Sequence, residues 1–583
     1  MGGEKNFDGL GVSPGIAIGD AYVRESGAIE VSEYAIKAGA VKAELERMDA
    51  AVKRSQRQIK RLQTKARKMS GAAAEELGFL LEAYQQMLQD SRLVRGARDR
   101  VESQRINAEA AVQHEINTIS ETFQAMDDAY IASRLDDIRE VANRLVLNLT
   151  QTPVRPFSSV PAGSVIIAQQ LTPADMAQLD PKRILGVATV LGGGEGHTAI
   201  MARALGLPAV LGAGDLLSGV RTGDRIIVDG VAGQLVVDPT PATVAHFGRR
   251  RDALEQENRE LDRLKSLPAV SRDGSEIVLQ ANVELPMELT MVSRAGARGI
   301  GLLRSEFMFM NRPDIPSEDV QYETLRSMVE AMDGQPVTIR SLDIGGDKLA
   351  NGLSVEADDS ASTALGLRGI RLSLAHTELL ETQFRAMLRA ANHGPTRILL
   401  PMVSTVSEVR RARDILKKAA AKLKRRKIKV PNPLPPLGVM IEVPGAALAA
   451  DALAQASDFL AIGSNDLTMY TLAVDRANEH VAHLFDPLHP AVLRLIQFAA
   501  GAALRARIPV SICGEMAGDP RYTALLLGLG LRELSMTPSN IAKVKRRIRE
   551  MDLISATQRA ELIMDQVDSG RIATLLDDFN ALA

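Results

Sequence analysis

Hydrophobic and polar positions fall into three textures along the chain. Residues 7–24 (FDGLGVSPGIAIGDAYVR) are short apolar pieces punctuated by glycine, which predicts strands and turns. From about Ser32 to Thr150 glycine is scarce and Ala, Glu, Gln, Lys and Arg dominate. Within that stretch Leu77, Leu80, Leu81, Tyr84, Met87 and Leu88 recur at helical spacing, as do Val112, Ile116, Ile119, Phe123 and Met126. The pattern predicts a bundle of four or five antiparallel helices whose stripes pack on one another; a docking groove for a partner is the alternative use of one stripe. Strand texture returns between Pro153 and Pro241 in VIIAQQ (165–170), VATVL (187–191), AVLG (209–212), RIIVDG (225–230) and QLVVDP (234–239). The simplest arrangement inserts the helical block into an α/β domain built from both flanks.

Residues 242–265 are strongly charged and proline-free, which predicts an exposed helix joining two halves. Beyond it, strand and helix alternate. Candidate strands begin near Ile277, Gly299, Val337, Arg397, Leu437, Phe459, Val510 and Glu533, with helices over 319–332, 377–391, 405–424, 490–507 and 539–550. Eight such alternations fit a (β/α)₈ barrel, with a doubly wound open sheet as the alternative. The expected division is 1–31 with 151–241 as the α/β domain, 32–150 as the helical block, 242–268 as the linker helix and 269–583 as the barrel.

Composition narrows the class. Apolar residues make up 45% and charged residues 24%, as in soluble globular proteins. A net charge of −2 gives no general pull toward nucleic acid or an anionic membrane, and no apolar run reaches membrane-spanning length. The single cysteine, Cys513, rules out an internal disulfide and suits a reducing cytoplasm. The N-terminal stretch does not read as a signal peptide.

Two places carry chemistry. In LGGGEGHTAIMARALGLPAVLG (191–212) a glycine-rich loop runs into His197 and then into a helix that Gly206-Leu207-Pro208 stops. Unpaired N–H groups at a helix start suit a phosphate, and the same positive end favours a neutral imidazole. An ordinary turn histidine is the bland alternative. The second place is the set of strand ends in the barrel, where such folds gather their active residues. Arg304, Arg340, Glu442, Asn465, Asp466 and Cys513 all follow strand-like runs, with Arg476, Arg368 and Arg371 in loops. Glu442 and Asp466 offer hard oxygen ligands for Mg²⁺, and the arginines suit a small substrate bearing phosphate and carboxylate. Cys513 is either an inert buried thiol or a proton carrier.

The motifs SPGIAIG (13–19), LTPADMAQL (171–179), HTAIMARALGLPAVLG (197–212), GLLRSEFMFMNR (301–312), DIGGDK (343–348), LPMVSTVSEVR (400–410), IEVP (441–444), GSNDLTMYTLAVDRAN (463–478) and CGEMAGD (513–519) run nearly end to end in one order. In these the chain resembles the Enzyme I family of the bacterial phosphotransferase system, the phosphoenolpyruvate-protein phosphotransferases. The resemblance implies a swivelling phosphohistidine α/β domain with an inserted helical bundle that binds a phosphocarrier, followed by a phosphoenolpyruvate-binding barrel. It implies transfer of phosphoryl from phosphoenolpyruvate to His197 and on to a small carrier resembling HPr, with release of pyruvate. Glu442 and Asp466 would hold Mg²⁺; Arg304, Arg340, Asn465 and Arg476 would hold substrate; Cys513 would protonate the enolate carbon. Thr172 would orient the His197 ring, with Thr198 and Arg203 supporting the phosphate. A cytoplasmic homodimer through the barrel is also implied. Glu195-Gly196 stands where the family usually has threonine and serine, which adds a carboxylate near the phosphate site, and STALGLRGIR (362–371) lacks the family's usual asparagine-proline-phenylalanine before LG. The related dikinases and synthases need an ATP-binding domain for which the N-terminal region is too short. A regulatory protein that signals through its phosphorylation state is the reading from another class.

Overall fold

The computed structural model describes residues 3–24, 31–66, 72–89, 91–124, 129–151, 157–194, 197–309, 314–344, 365–475, 478 and 480–581. The chain forms two compact units, residues 1–257 and 258–583.

In the first unit, β1 (Lys5–Asp8), β2 (Leu10–Ser13) and β3 (Ile16–Arg24) precede five long helices: α1 (Val41–Ala66), α2 (Ala72–Met87), α3 (Arg92–Gln104), α4 (Ala108–Gln124) and α5 (Ala129–Thr150). After them come β4 (Ser164–Ala168), α6 (Pro173–Met176), β5 (Ile184–Thr189), α7 (His197–Leu205), β6 (Ala209–Leu211), α8 (Leu216–Gly219), β7 (Arg225–Asp229) and β8 (Gln234–Val237). All eight strands share one sheet in the order β1-β8-β7-β3-β4-β5-β6-β2. Strands from both sides of the helical block therefore interleave, and β3 pairs directly with β4 in parallel, Asp20 opposite Ser164. Alternate residues of the strands go to opposite faces. Ile166, Val187 and Leu211 join the core of the bundle, where Leu80, Leu81, Tyr84, Leu88, Val112, Ile116 and Ile119 are buried. Val165, Ile167, Ala188 and Val210 pack on the other face with Ile226 and Val228. The side chains of Leu77, Phe123 and Met126, also expected in the stripes, lie outside the described set.

The charged stretch after Pro241 is one helix, α9 (Pro241–Leu264). Most of its residues are exposed or half-buried, and Phe247 and Leu261 are its buried anchors.

The second unit is a closed barrel of eight parallel strands: β9 (Val278–Val283), β10 (Ile300–Leu303), β11 (Val337–Arg340), β12 (Thr396–Leu400), β13 (Leu437–Ile441), β14 (Leu460–Gly463), β15 (Val510–Cys513) and β16 (Glu533–Met536). Closure pairs β16 with β9. The open-sheet alternative is thereby excluded. Strands covered on both faces read as unbroken apolar runs, which is why GVMI and FLAIG were recognisable. Ile339, Ile441, Ile462 and Ile512 pack outward with the surrounding helices in one large core. Their neighbours therefore point inward. Leu302, Leu399, Met440 and Ala461 form a small interior cluster, and Cys513 belongs to it. No helix among the described residues is long and apolar enough to cross a membrane.

Candidate active site

The same alternation aims three functional side chains into the barrel. Because Ile339, Ile441 and Ile512 face out, Arg340, Glu442 and Cys513 face in, each at the C-terminal limit of its strand. All three are buried. Arg340 is clamped between Glu306 at 3.1 Å and Asp343 at 3.0 Å, and its Nη1 also meets the sulfur of Met440. Asp343 in turn pairs with Arg368 at 3.1 Å, and the Arg368 guanidinium donates to the Tyr470 hydroxyl. Glu306 accepts the Asp343 backbone N–H at 2.9 Å, so one carboxylate fixes both the arginine and the loop that follows it.

Carboxylate oxygens of Asp343, Glu442 and Asp466 lie within 4.8 Å of one another. Glu442 accepts the Met402 N–H on Oε1 at 2.6 Å, while its buried Oε2 has no partner among the described residues. Burial, with Asp343 and Asp466 beside it, pushes the Glu442 carboxyl up to about 8 against the pull of Arg340. An orphaned buried oxygen inside a cluster of three carboxylates, one of them costly to ionise without a cation, is what a hard divalent cation relieves, so these residues fit a metal. Gly463 leaves the room: a Cβ there would stand 2.9 Å from Glu442 Oε2.

Cys513 donates to the Ile462 carbonyl at 3.4 Å. Burial first, then Glu442, pushes its thiol up to about 12, although Arg340 and Arg304 pull the other way. The sulfur therefore stays protonated at neutral pH, a state that an inert buried thiol and a proton carrier share. Gly514 follows with φ +101°, and a Cβ there would collide with Ser464 Oγ at 2.3 Å. That tight turn lets Ser464 donate to the Cys513 carbonyl and Asn465 accept the Glu515 N–H, locking the ends of β14 and β15 together. Arg304, one residue past β10, is half-exposed and pairs with Glu284.

In the first unit, His197 is the first residue of α7. Thr198 donates to the Leu171 carbonyl at 2.7 Å, which brings the 171–173 turn to the start of α7. Thr172 caps α6 reciprocally with Asp175, and Arg24 pairs with Asp175 at 3.2 Å. Arg203 donates to the backbone carbonyls of Val12, at 2.8 Å, and of Gly194. Its guanidinium thus ties the glycine loop to β2.

A family model for the PEP-binding domain of PEP-utilising enzymes matches residues 258–553, and models for the N-terminal and mobile domains of PEP-utilising enzymes match residues 8–134 and 160–233. A phosphoenolpyruvate-protein phosphotransferase of Cupriavidus necator is 41% identical over 569 residues, covering 96% of each chain. Proteins of the same name from Listeria monocytogenes and Haemophilus influenzae are 36% and 35% identical, covering 99% and 98% of this chain and 100% and 99% of theirs. The chain belongs to the phosphoenolpyruvate-protein phosphotransferase family.

As a phosphoenolpyruvate-protein phosphotransferase it is a transferase with an N-terminal, a mobile and a barrel region. The barrel brings Arg340, Glu442, Asp466 and Cys513 to one end, with Arg304 and Asn465 on the same rim. Thr172, Thr198 and Arg203 gather at the start of α7. Arg476, Glu195, Gly196 and the 345–364 stretch, which includes the altered loop at 362–364, lie outside the described residues, as does the His197 side chain. Two acids of the barrel-end cluster, Asp343 and Glu306, were not among the residues expected from the sequence. Asp343 opens the DIGGDK motif three residues beyond Arg340, so its spacing was available; Glu306 is linked only by the tertiary pair to Arg340.

Proposed function

We propose that the barrel end binds phosphoenolpyruvate, that its phosphoryl group passes to His197, and that His197 then delivers it to an HPr-like phosphocarrier protein for sugar uptake or its regulatory branch. The observation that carries this reading is the convergence of Arg340, Glu442 and Cys513 on the inward face at one strand end, with Asp343 and Asp466 completing a carboxylate cluster. Arg304, Arg340, Asn465 and Arg476 bind the phosphate and carboxylate of the substrate, guanidinium being suited to both. Glu442 and Asp466, with Asp343 at their side, hold Mg²⁺, which when bound offsets phosphoryl charge. The phosphorus–oxygen bond breaks as a phosphorus–nitrogen bond forms at His197; the enolate released takes its proton on the methylene carbon from Cys513, pyruvate leaves, and the thiolate regains a proton from water. Thr198 and Arg203 hold the glycine loop and the start of α7 in register for the phosphohistidine. We further infer the domain division 1–31 with 151–241, 32–150, 242–268 and 269–583, the helical block serving the carrier, and a cytoplasmic homodimer through the barrel.

The test is incubation with phosphoenolpyruvate and Mg²⁺. Wild type yields pyruvate and an acid-labile phosphoprotein; His197→Ala yields no phosphoprotein. Uptake of phosphate by His197→Ala overturns the assignment of the acceptor.

A further inference from the structure

The second unit has a cleft of about 310 Å³ lined by residues at the N-terminal ends of β9 and β10, by the segment after α9 and by the helix Ile541–Glu550. It lies at the opposite strand ends from Glu442 and Cys513, because all eight strands run parallel. Three cationic residues line it: Lys265, Arg298 and Lys545. Lys545 is only 3% exposed. Its ammonium donates to the Lys265 carbonyl at 2.9 Å and, among the described residues, pairs with no carboxylate. Arg549, which donates to the Pro268 carbonyl, adds a further positive charge beside it. Arg298 and Lys265 pair with Glu276 and Asp262, but both pairs stand largely in solvent and neutralise little. Burial and the neighbouring cations hold the Lys545 ammonium below its ordinary range, the mark of a buried positive group lacking a counter-charge. Leu267, Pro268, Ala269, Ile277 and Leu279 add apolar surface to the wall, beside Ser266 and Gly296.

We propose that this cleft is a second small-molecule site, separate from the barrel mouth, that takes an organic anion with one carboxylate or phosphate head and a short carbon body. The head pairs with Lys545 and Arg298, and the body lies on Leu267, Ile277 and Leu279. A buried ammonium with an exposed guanidinium at the head, and apolar side chains at the body, are the two complementary halves such a ligand needs.

The chain contains no tryptophan, so Leu267→Trp places a single indole reporter on the cleft. Butyl phosphate is the probe and butanol its uncharged control. A saturable fluorescence change with butyl phosphate and none with butanol is expected, at least tenfold weaker after Arg298→Gln or Lys545→Met, and retained after Arg340→Gln. Arg298 is more than half exposed, so its replacement leaves folding intact. Saturation-transfer NMR of butyl phosphate on the unsubstituted chain, against the Arg298→Gln chain, gives the same reading without the indole. Absence of saturable binding in both measurements, an equal response to butanol, indifference to Arg298→Gln, or loss with Arg340→Gln each overturns the proposal.

Discussion

The barrel mouth and the start of α7 handle the same phosphoryl group in the proposed reaction, yet they are built from different materials. The mouth is made of charged side chains taken out of water: Arg340 between Glu306 and Asp343, three carboxylates within 4.8 Å, and a thiol held protonated. The surroundings of α7 are held by backbone carbonyls and hydroxyls: Thr198 on Leu171, Arg203 on Val12 and Gly194, Thr172 on its own helix. A site where a bond is broken and charge develops needs preorganised ions in low dielectric. A loop that carries the product away needs to be held, not charged. Losses at the mouth should therefore be selective for one half-reaction, whereas losses near α7 should touch both.

The largest expected effect is that of Cys513→Ala. Pyruvate formation should fall by about 10²–10⁴-fold, while transfer from a phosphorylated carrier back to His197 stays near the wild-type rate. Equal loss in both half-reactions would merge the two regions and break the contrast. Next, with the thiol pushed up to about 12, alkylation of this single cysteine at pH 8 should be on the order of a thousandfold slower than that of free cysteine and should rise with pH, because only the thiolate reacts. Rapid labelling by iodoacetamide at pH 8 contradicts a protonated buried sulfur. For Asp343→Asn, the Mg²⁺ concentration giving half-maximal activity should rise about 10–100-fold, as for loss of a metal's supporting group. An unchanged Mg²⁺ titration removes Asp343 from the cluster. The smallest effect is that of Thr198→Val. Losing one hydrogen bond to Leu171 costs about 1 kcal/mol, read as a lower thermal midpoint of the first unit and a few-fold slowing of both half-reactions alike.

Legibility in the sequence followed the same divide. Parallel strands buried on both faces announce themselves as apolar runs, so the residues ending them, Arg340, Glu442 and Cys513, were found by counting along the chain. Glu306 and Asp343 lie past the strands, and their importance comes from contacts with Arg340 that no periodicity encodes. Near α7 the partners are more distant still: Arg203 reaches the carbonyl of Val12, 191 residues away, and a carbonyl has no sequence signature. Lys545 sits among the basic residues of IAKVKRRIRE, and nothing in that run distinguishes the one ammonium that folding withdraws from water.

The direct pairing of β3 with β4 has an evolutionary corollary. Parallel neighbours must be joined by a crossover, and here that crossover is the entire five-helix block. The block leaves and re-enters the sheet at adjacent strands, so a different bundle of similar footprint can be exchanged as a cassette without cutting a single ladder hydrogen bond. In the proposed reaction, recognition of a new carrier is thereby open to change by module replacement, while the histidine and the barrel stay as they are.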